Sequence, residues 1–198
     1  MNVVFDVGQV LIHWEPRALY RKIFTDHAEM EAFLTEVCPP SWNVELDRGM
    51  SFADGVKEAT RRHPHLAAEI AAYDERWEEM LTHAIQGTVD ILEELHRQET
   101  PLYAITNWNG DKFRRTRSLY SFLGVFRDIV VSGDEKLIKP DPAIYHLLLT
   151  RNGLKAQDCL FIDDSAKNVE SARAIGMEAH HFTSPQALRS DLIARGLL

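Results

Sequence analysis

Only two cysteines occur in the 198 residues, Cys38 and Cys159. They lie far apart and Cys159 sits in an apolar run, which supports neither a disulfide framework nor a thiolate zinc site, so both read as reduced core residues. No apolar run approaches the roughly 18 residues that a membrane-spanning helix needs, and the N-terminus lacks the charged-then-apolar pattern of a signal peptide. A cytoplasmic location without a membrane partner is the expectation. Positive charge is scarce: Lys+Arg total 22 against Asp+Glu 30, a formal net charge of −8. No segment gathers basic residues as a nucleic-acid surface would, and the one dense group, Lys112 to Arg117, reads as the solvated face of a helix. The nine histidines show no ligand spacing such as H-E-x-x-H. Internal repeats and low-complexity segments are also missing.

What is present suffices for one core of ordinary size plus a modest insertion, with 45% hydrophobic and 26% charged residues. Short apolar or β-branched runs recur at Val3 to Phe5, Leu102 to Ile105, Ile129 to Val131, Leu160 to Ile162 and Ala179 to Phe182. Between and after the later ones lie amphipathic stretches: Val89 to Gln98, Asp111 to Phe122, Pro142 to Asn152, Ser165 to Ile175 and Pro185 to Ala194. Alternation of this kind predicts an α/β fold, a Rossmann-like parallel sheet with helices on both faces. The first run breaks the rhythm, since roughly 90 residues rather than one crossover separate it from the second. Pro16 to Phe24, Ala28 to Val37, Ser51 to Arg62 and Leu66 to Thr82 have helical spacing. We therefore expect a small helical cap over residues 15–82, with 1–14 and 83–198 forming the core.

Ligands of open α/β sheets collect beyond the carboxyl ends of the strands. The residues there are Asp6, then Thr106 and Asn107, then Lys139 ahead of Pro140, then Asp163 and Asp164. Asp6 ends the run Val3 to Phe5, and burying a carboxylate without partners costs several kcal/mol. One of the acidic pair fits the N-cap of the helix starting near Ser165. Three carboxylates at one sheet edge raise each other's pKa unless a cation neutralises them, and all-oxygen ligands without thiolate or histidine suit Mg²⁺ rather than zinc. Lys139 could hold one aspartate and a phosphate oxygen together. Thr106 and Asn107 supply uncharged donors for an oxyanion. Trp14 and Trp108 follow strand ends and could wall a pocket or fill space between core and cap. The segment from Trp42 to Gly49 is either an exposed helix end or the part of the cap that reaches the substrate.

In this arrangement the chain resembles the haloacid dehalogenase-like (HAD) hydrolase superfamily over essentially its whole length. The motifs that carry the resemblance are Asp6 in FDVGQVLI, Thr106-Asn107 after LYAI, Lys139 in LIKPDPAIY, and Asp163-Asp164 in FIDDSAKNVESARAIG. The resemblance implies that Asp6 is a nucleophile forming an aspartyl intermediate. It also implies that Thr106 and Asn107, with Trp108 beside them, bind the substrate and that Lys139 stabilises Asp6. Asp164, supported by Asp163, would hold Mg²⁺ with Asp6 and the backbone carbonyl of Gly8. Most phosphatases of the family carry an acid two positions after the nucleophile, where this chain has Gly8. Such an acid is typically worth about 10² to 10⁴ in rate.

The first reading that follows is a Mg²⁺-dependent phosphatase of a small phosphorylated metabolite, from the branch with glycine there, which includes glucose-1-phosphate phosphatase-like members. Water, Asp47 or His13 of the cap, or a better leaving group would then stand in for the acid. The second is a metal-independent 2-haloacid dehalogenase, against which the acidic pair argues. The third is a phospho-ligand-binding protein with a degraded site. A monomer and a homodimer are both compatible with the sequence.

Overall fold

The computed structural model describes residues 1–198. The chain opens with β1 (Asn2–Phe5) and β2 (Ile12–Trp14), and then runs through α1 (Pro16–Tyr20), α2 (His27–Ala32), α3 (Pro40–Asp47), α4 (Phe52–Arg62) and α5 (Ala67–Glu75). It returns through β3 (Leu81–Ala84) and alternates thereafter: α6 (Gln86–Arg97), β4 (Leu102–Thr106), α7 (Gly110–Leu119), β5 (Asp128–Val131), a short α8 (Ser132–Glu135), α9 (Pro142–Asn152), β6 (Cys159–Asp163), α10 (Ala166–Ala174), β7 (Glu178–His181) and α11 (Pro185–Ala194). Five strands form one parallel sheet in the order β5-β4-β1-β6-β7, so β1 lies at the centre between β4 and β6.

Side chains alternate across the sheet because the strand repeat is two residues. Val3 and Phe5, Leu102 and Ala104, Leu160 and Ile162 face α6 and α11 in one cluster; Val4, Tyr103, Ile105 and Phe161 face α9 and α10 in another. The first cluster does not stop at the sheet. It continues through Val10, Leu11 and Ile12 into Leu19, Tyr20, Phe33, Leu46, Tyr73 and Trp77 of the inserted segment. Both cysteines are buried and free, as expected.

One expectation about the insertion fails. Leu66 to Thr82 is not one helix: α5 ends at Glu75, a 3₁₀ turn covers Trp77–Met80, and Leu81 onward becomes β3. The ribbon that β3 makes with β2 is antiparallel and pairs Ile12 with Ala84 and His13 with His83. Its backbone bonds come from a partner about 70 residues away, which helical periodicity within a window cannot register. Lys112 to Arg117 is a helix face with Arg114, Arg115 and Arg117 exposed, as expected, and it also contacts the insertion. Lys112 donates to the Asp74 carbonyl at 2.8 Å and pairs with its carboxylate, and Arg115 pairs with Glu78, so α7 is tied to the insertion.

The end of α3 rests directly on the loop after β5. Gly49 has φ +103°, and a Cβ there would stand 2.7 Å from the Gly133 carbonyl oxygen. Gly49→Ala is therefore expected to cost about 1–3 kcal/mol through backbone strain and this clash. Urea unfolding should show a lowered midpoint, and an unchanged midpoint would contradict the close approach.

Candidate active site

β1, β4 and β6 end side by side, and their last residues and following turns build one charged cluster. Asp6 directly follows β1 with 7% exposure, and its Oδ1 accepts from the Val7 N–H at 2.7 Å and pairs with Lys139 Nζ at 2.8 Å. Lys139 also donates to Asp163 Oδ2 at 2.7 Å and to the Ile105 carbonyl at 3.0 Å. An ammonium has three hydrogens, so these three acceptors use all of them. The expectation that Lys139 would hold a phosphate oxygen directly is thus revised: it is spent on two carboxylates and one carbonyl. Burial pulls its pKa down, but the charges of Asp163 and Asp6 outweigh that and keep it above its ordinary value.

Asp163 is fully buried and saturated. Its Oδ1 accepts from the Ser165 N–H at 2.8 Å, and Asn168 Nδ2 donates to both oxygens at 2.9 and 3.1 Å. The N-cap of α10 is Ser165, without a side-chain cap bond, so neither aspartate caps the helix as expected; Asp163 bonds the turn before it and anchors Lys139. Asn107 fixes the same lysine from the other side, for its Oδ1 accepts from Lys139 N at 2.9 Å and its Nδ2 donates to Lys139 O at 3.1 Å. One Asn107 amide hydrogen is left for a ligand. The Thr106 hydroxyl is fully buried without a partner and does not border the cavity.

A cavity of about 190 Å³ opens over this cluster, and Asp6, Gly8, Asn107, Trp108, Lys139 and Asp164 border it. Trp14 and Trp77 complete an aromatic wall, with ring centroids 5.9 Å apart and Trp77 6.4 Å from Trp108. From the insertion come Asn43 and Asp47, so the segment Trp42 to Gly49 does reach the site. His13 does not; it lies on the β2–β3 ribbon, bonded to Thr82 at 2.7 Å and stacked on His83. Gln9, Trp77 and Asn168 were not singled out from the sequence, and Asn43 only as part of the segment from Trp42 to Gly49. The spacing of Asn168, five residues after Asp163 and inside the first turns of α10, could have pointed to it. Nothing local marks Trp77.

Oxygens of Asp6, Asp163 and Asp164 come within 4.8 Å of one another. Burial pushes Asp6 up, to about 8, with Asp163 and Asp164 adding to the rise and Lys139 opposing it. Burial raises Asp164 too, reinforced by Asp163. Asp6 Oδ2 accepts no hydrogen bond, no N–H donates to the Gly8 carbonyl, and Asp164 borders the cavity. These hard oxygens fit Mg²⁺, which binds through one or two carboxylates and keeps its remaining positions for water and substrate.

Residues 22–181 match the family described as haloacid dehalogenase-like hydrolase. The chain belongs to this family. Among curated relatives it is similar to the sesquiterpene phosphatase astK of Aspergillus oryzae, with 27% identity over 96% of this chain and 93% of that protein. Its fold is similar to a HAD family enzyme of Bacteroides thetaiotaomicron solved with magnesium and inorganic phosphate, at TM-score 0.71 and 21% identity over 92% and 94% of the two chains. It is also similar to the L-2-haloacid dehalogenase of Xanthobacter autotrophicus with chloropropionic acid covalently bound, at TM-score 0.66 and 16% identity over 100% and 84%. Fold likeness alone does not choose between the two chemistries, and the matched span begins after Asp6. The cluster geometry has to decide.

A HAD site with three carboxylates and one ammonium competes for protons and metal alike. Because burial pushes Asp6 up to about 8, Mg²⁺ must displace a proton there to bind. Affinity should rise with pH between about 6 and 8, and calorimetry in buffers of different ionisation enthalpy should show proton release. Binding independent of both pH and buffer would contradict this site. The linked stability has the opposite sign: without metal, the raised Asp6 pKa means that stability is lost as pH climbs toward about 8.

Proposed function

We propose that the chain is a Mg²⁺-dependent phosphatase that acts on a small phosphate monoester with a neutral organic part, such as a sugar phosphate, through an aspartyl-phosphate at Asp6. The observation that carries this reading is the charge count, three clustered carboxylates against a lysine with no free hydrogen. A divalent cation balances that cluster. When bound there, Mg²⁺ supplies charge neutralisation for a phosphate dianion and orients it.

Asp6 keeps Oδ2 free of hydrogen bonds while Lys139 and the Val7 N–H hold Oδ1, which leaves one oxygen available to attack phosphorus in a fixed direction. Asn107 offers its remaining amide hydrogen to a phosphoryl oxygen, and Asp164 and the Gly8 carbonyl would hold the metal with Asp6. Asp163 and Asn168 hold Lys139 in place.

No cation with a hydrogen to spare borders the cavity. A second carboxylate in the substrate would lie against the aromatic wall without a cation to pair with. The same lack disfavours a 2-haloacid, whose carboxylate needs a positive clamp, and supports phosphatase over dehalogenase. The volume of about 190 Å³ lies below the range of roughly 300–1,000 Å³ typical of drug-sized ligands, which suits a small metabolite. Three indole faces beside Asn43, Asp47 and Asn107 suit a sugar ring, apolar on its C–H faces and polar at its edge.

Phosphate release from a neutral monosaccharide phosphate should require Mg²⁺, stop in excess EDTA, and fall by about 10⁴-fold or more in Asp6→Asn. Equal turnover with EDTA present would end the metal-dependent reading. In a panel at fixed Mg²⁺, kcat/KM for the neutral sugar phosphate should exceed that for phosphoglycolate by about tenfold or more, given the cost of burying a second charge with no cation beside it. The reverse order would refute the neutral-substrate assignment.

A further inference from the structure

Gly8 removes the proton donor from the position where the family usually has one, and the structure offers a replacement on a different element. We propose that Asp47, at the end of α3, is the general acid and then the general base of this reaction. The inference rests on the phosphatase reading and adds the residue that handles the proton.

Asp47 borders the same cavity as Asp6 and Gly8. It is the last residue of α3, where a carboxylate is poorly placed for the helix dipole, so helix stability does not account for it. It forms no ion pair. Asn43 Nδ2 donates to Asp47 Oδ2 at 2.9 Å, and the Asn109 N–H also lies against the carboxylate. The amide of Asn43 is itself oriented by the Tyr73 hydroxyl, which donates to Asn43 Oδ1 at 3.0 Å. Asp47 Oδ2 is thereby held by a donor that is itself fixed in place.

The backbone around Asp47 is pinned from the loops that end the core strands. Ser132 Oγ donates to the Asp47 carbonyl at 2.6 Å, and Asn109 Nδ2 donates to the carbonyls of Leu46 and Met50 at 3.2 and 3.1 Å. The loop after β4, which carries Asn107 and Trp108, thus also positions Asp47. Burial raises the Asp47 carboxyl well above the usual range, the Asn109 N–H opposes this, and the charge of Asp6 adds to it, which is the direction a proton donor needs. At position 8 itself a Cβ would find only Trp108 Cζ3, at 3.7 Å, so the expected site of the acid stands sterically open.

The proton bookkeeping closes with Asp47 in this role. As Asp6 Oδ2 bonds to phosphorus, the bond from phosphorus to the ester oxygen breaks and its electron pair stays on that oxygen. Asp47 gives its proton to this oxygen, and the alcohol leaves. Water then attacks the aspartyl-phosphate, Asp47 takes the proton from that water, and the bond from phosphorus to Asp6 breaks to release phosphate. Asp6 regains its carboxylate and Asp47 its proton.

Asp47→Asn tests the assignment with two esters, an alkyl phosphate whose leaving group needs a proton and an aryl phosphate whose leaving group does not. The alkyl kcat/KM should fall by about 10² to 10⁴-fold. Rapid-mixing with the aryl ester should give a burst of about one phenolate per site followed by slow turnover, because the first step needs no acid and the second has lost its base. Alkyl turnover within threefold of the unmodified enzyme would overturn the proposal, as would loss of the aryl burst in a variant whose near-UV circular dichroism is unchanged. Gly8→Asp in the otherwise unmodified chain gives a second reading that does not depend on how Asp47→Asn folds. It should change alkyl turnover by less than about tenfold, since a proton donor is already in place; a gain of about 10²-fold or more would mean that none was, and would overturn the role of Asp47. If the unmodified enzyme with Mg²⁺ releases phosphate from neither ester, the phosphatase reading fails instead.

Discussion

Lys139 is the group on which the site's geometry depends. One ammonium, almost wholly withdrawn from water, is shared by Asp6 and Asp163 and by the Ile105 carbonyl at the end of the central strands. Removing one partner from a buried pair of this kind typically costs about 3–5 kcal/mol, because the survivor is left charged without compensation. Its surroundings are arranged accordingly. Asn107 clamps the Lys139 backbone at both N–H and carbonyl, Asn168 and the Ser165 N–H complete Asp163, and Tyr145 donates to the Asn168 carbonyl at 3.0 Å. With every donor of Lys139 committed, the lysine sets the charge and orientation of Asp6, while the negative charge left over is what a metal ion answers.

The position of the insertion follows from packing more than from charge. Arg115–Glu78 and the half-buried Lys112–Asp74 tie α7 to it, but an exposed pair such as the first contributes only about 0–1 kcal/mol. The apolar cluster that runs from Phe5 and Leu11 into Tyr20, Tyr73 and Trp77 buries far more surface, at about 25 cal/mol per Å². To this the bonds from Ser132 and Asn109 add direction. Apolar burial holds the insertion against the sheet, and these few hydrogen bonds fix where the end of α3 lies over the strand ends.

The core sheet and the charged cluster were largely legible in the sequence, because both depend on local signals. Apolar runs ending in Asp6, in Asp163 and ahead of Lys139 declare strand ends, and chain order puts those ends along one edge. The β2–β3 ribbon was not legible. Its strands are three and four residues long, and what makes them strands is pairing across the whole insertion. The division of labour between Asp163 and Asp164 was hidden for a similar reason: adjacent and chemically identical, they differ only in that Asn168, Ser165 and Lys139 converge on the first. Trp77 joins the cavity wall because α5 stops at Glu75 and turns inward, a tertiary event that its neighbours do not announce.

An acid on α3 rather than at position 8 changes how recognition and chemistry are connected. An aspartate two residues beyond the nucleophile would ride on the same turn as Asp6, in place whether or not the insertion engages a substrate. Asp47 instead shares its helix with Asn43 and faces a wall that includes Trp77, both parts of the insertion. The groups that contact the leaving group and the group that protonates it then belong to one packed body. Binding energy gained by the organic part of the substrate against Asn43 and Trp77 can in that case be expressed at the bond being broken, since a leaving group that settles against this wall also settles beside its proton donor. A leaving group that misses the wall forfeits both. Selectivity and protonation are thus enforced by the same contacts.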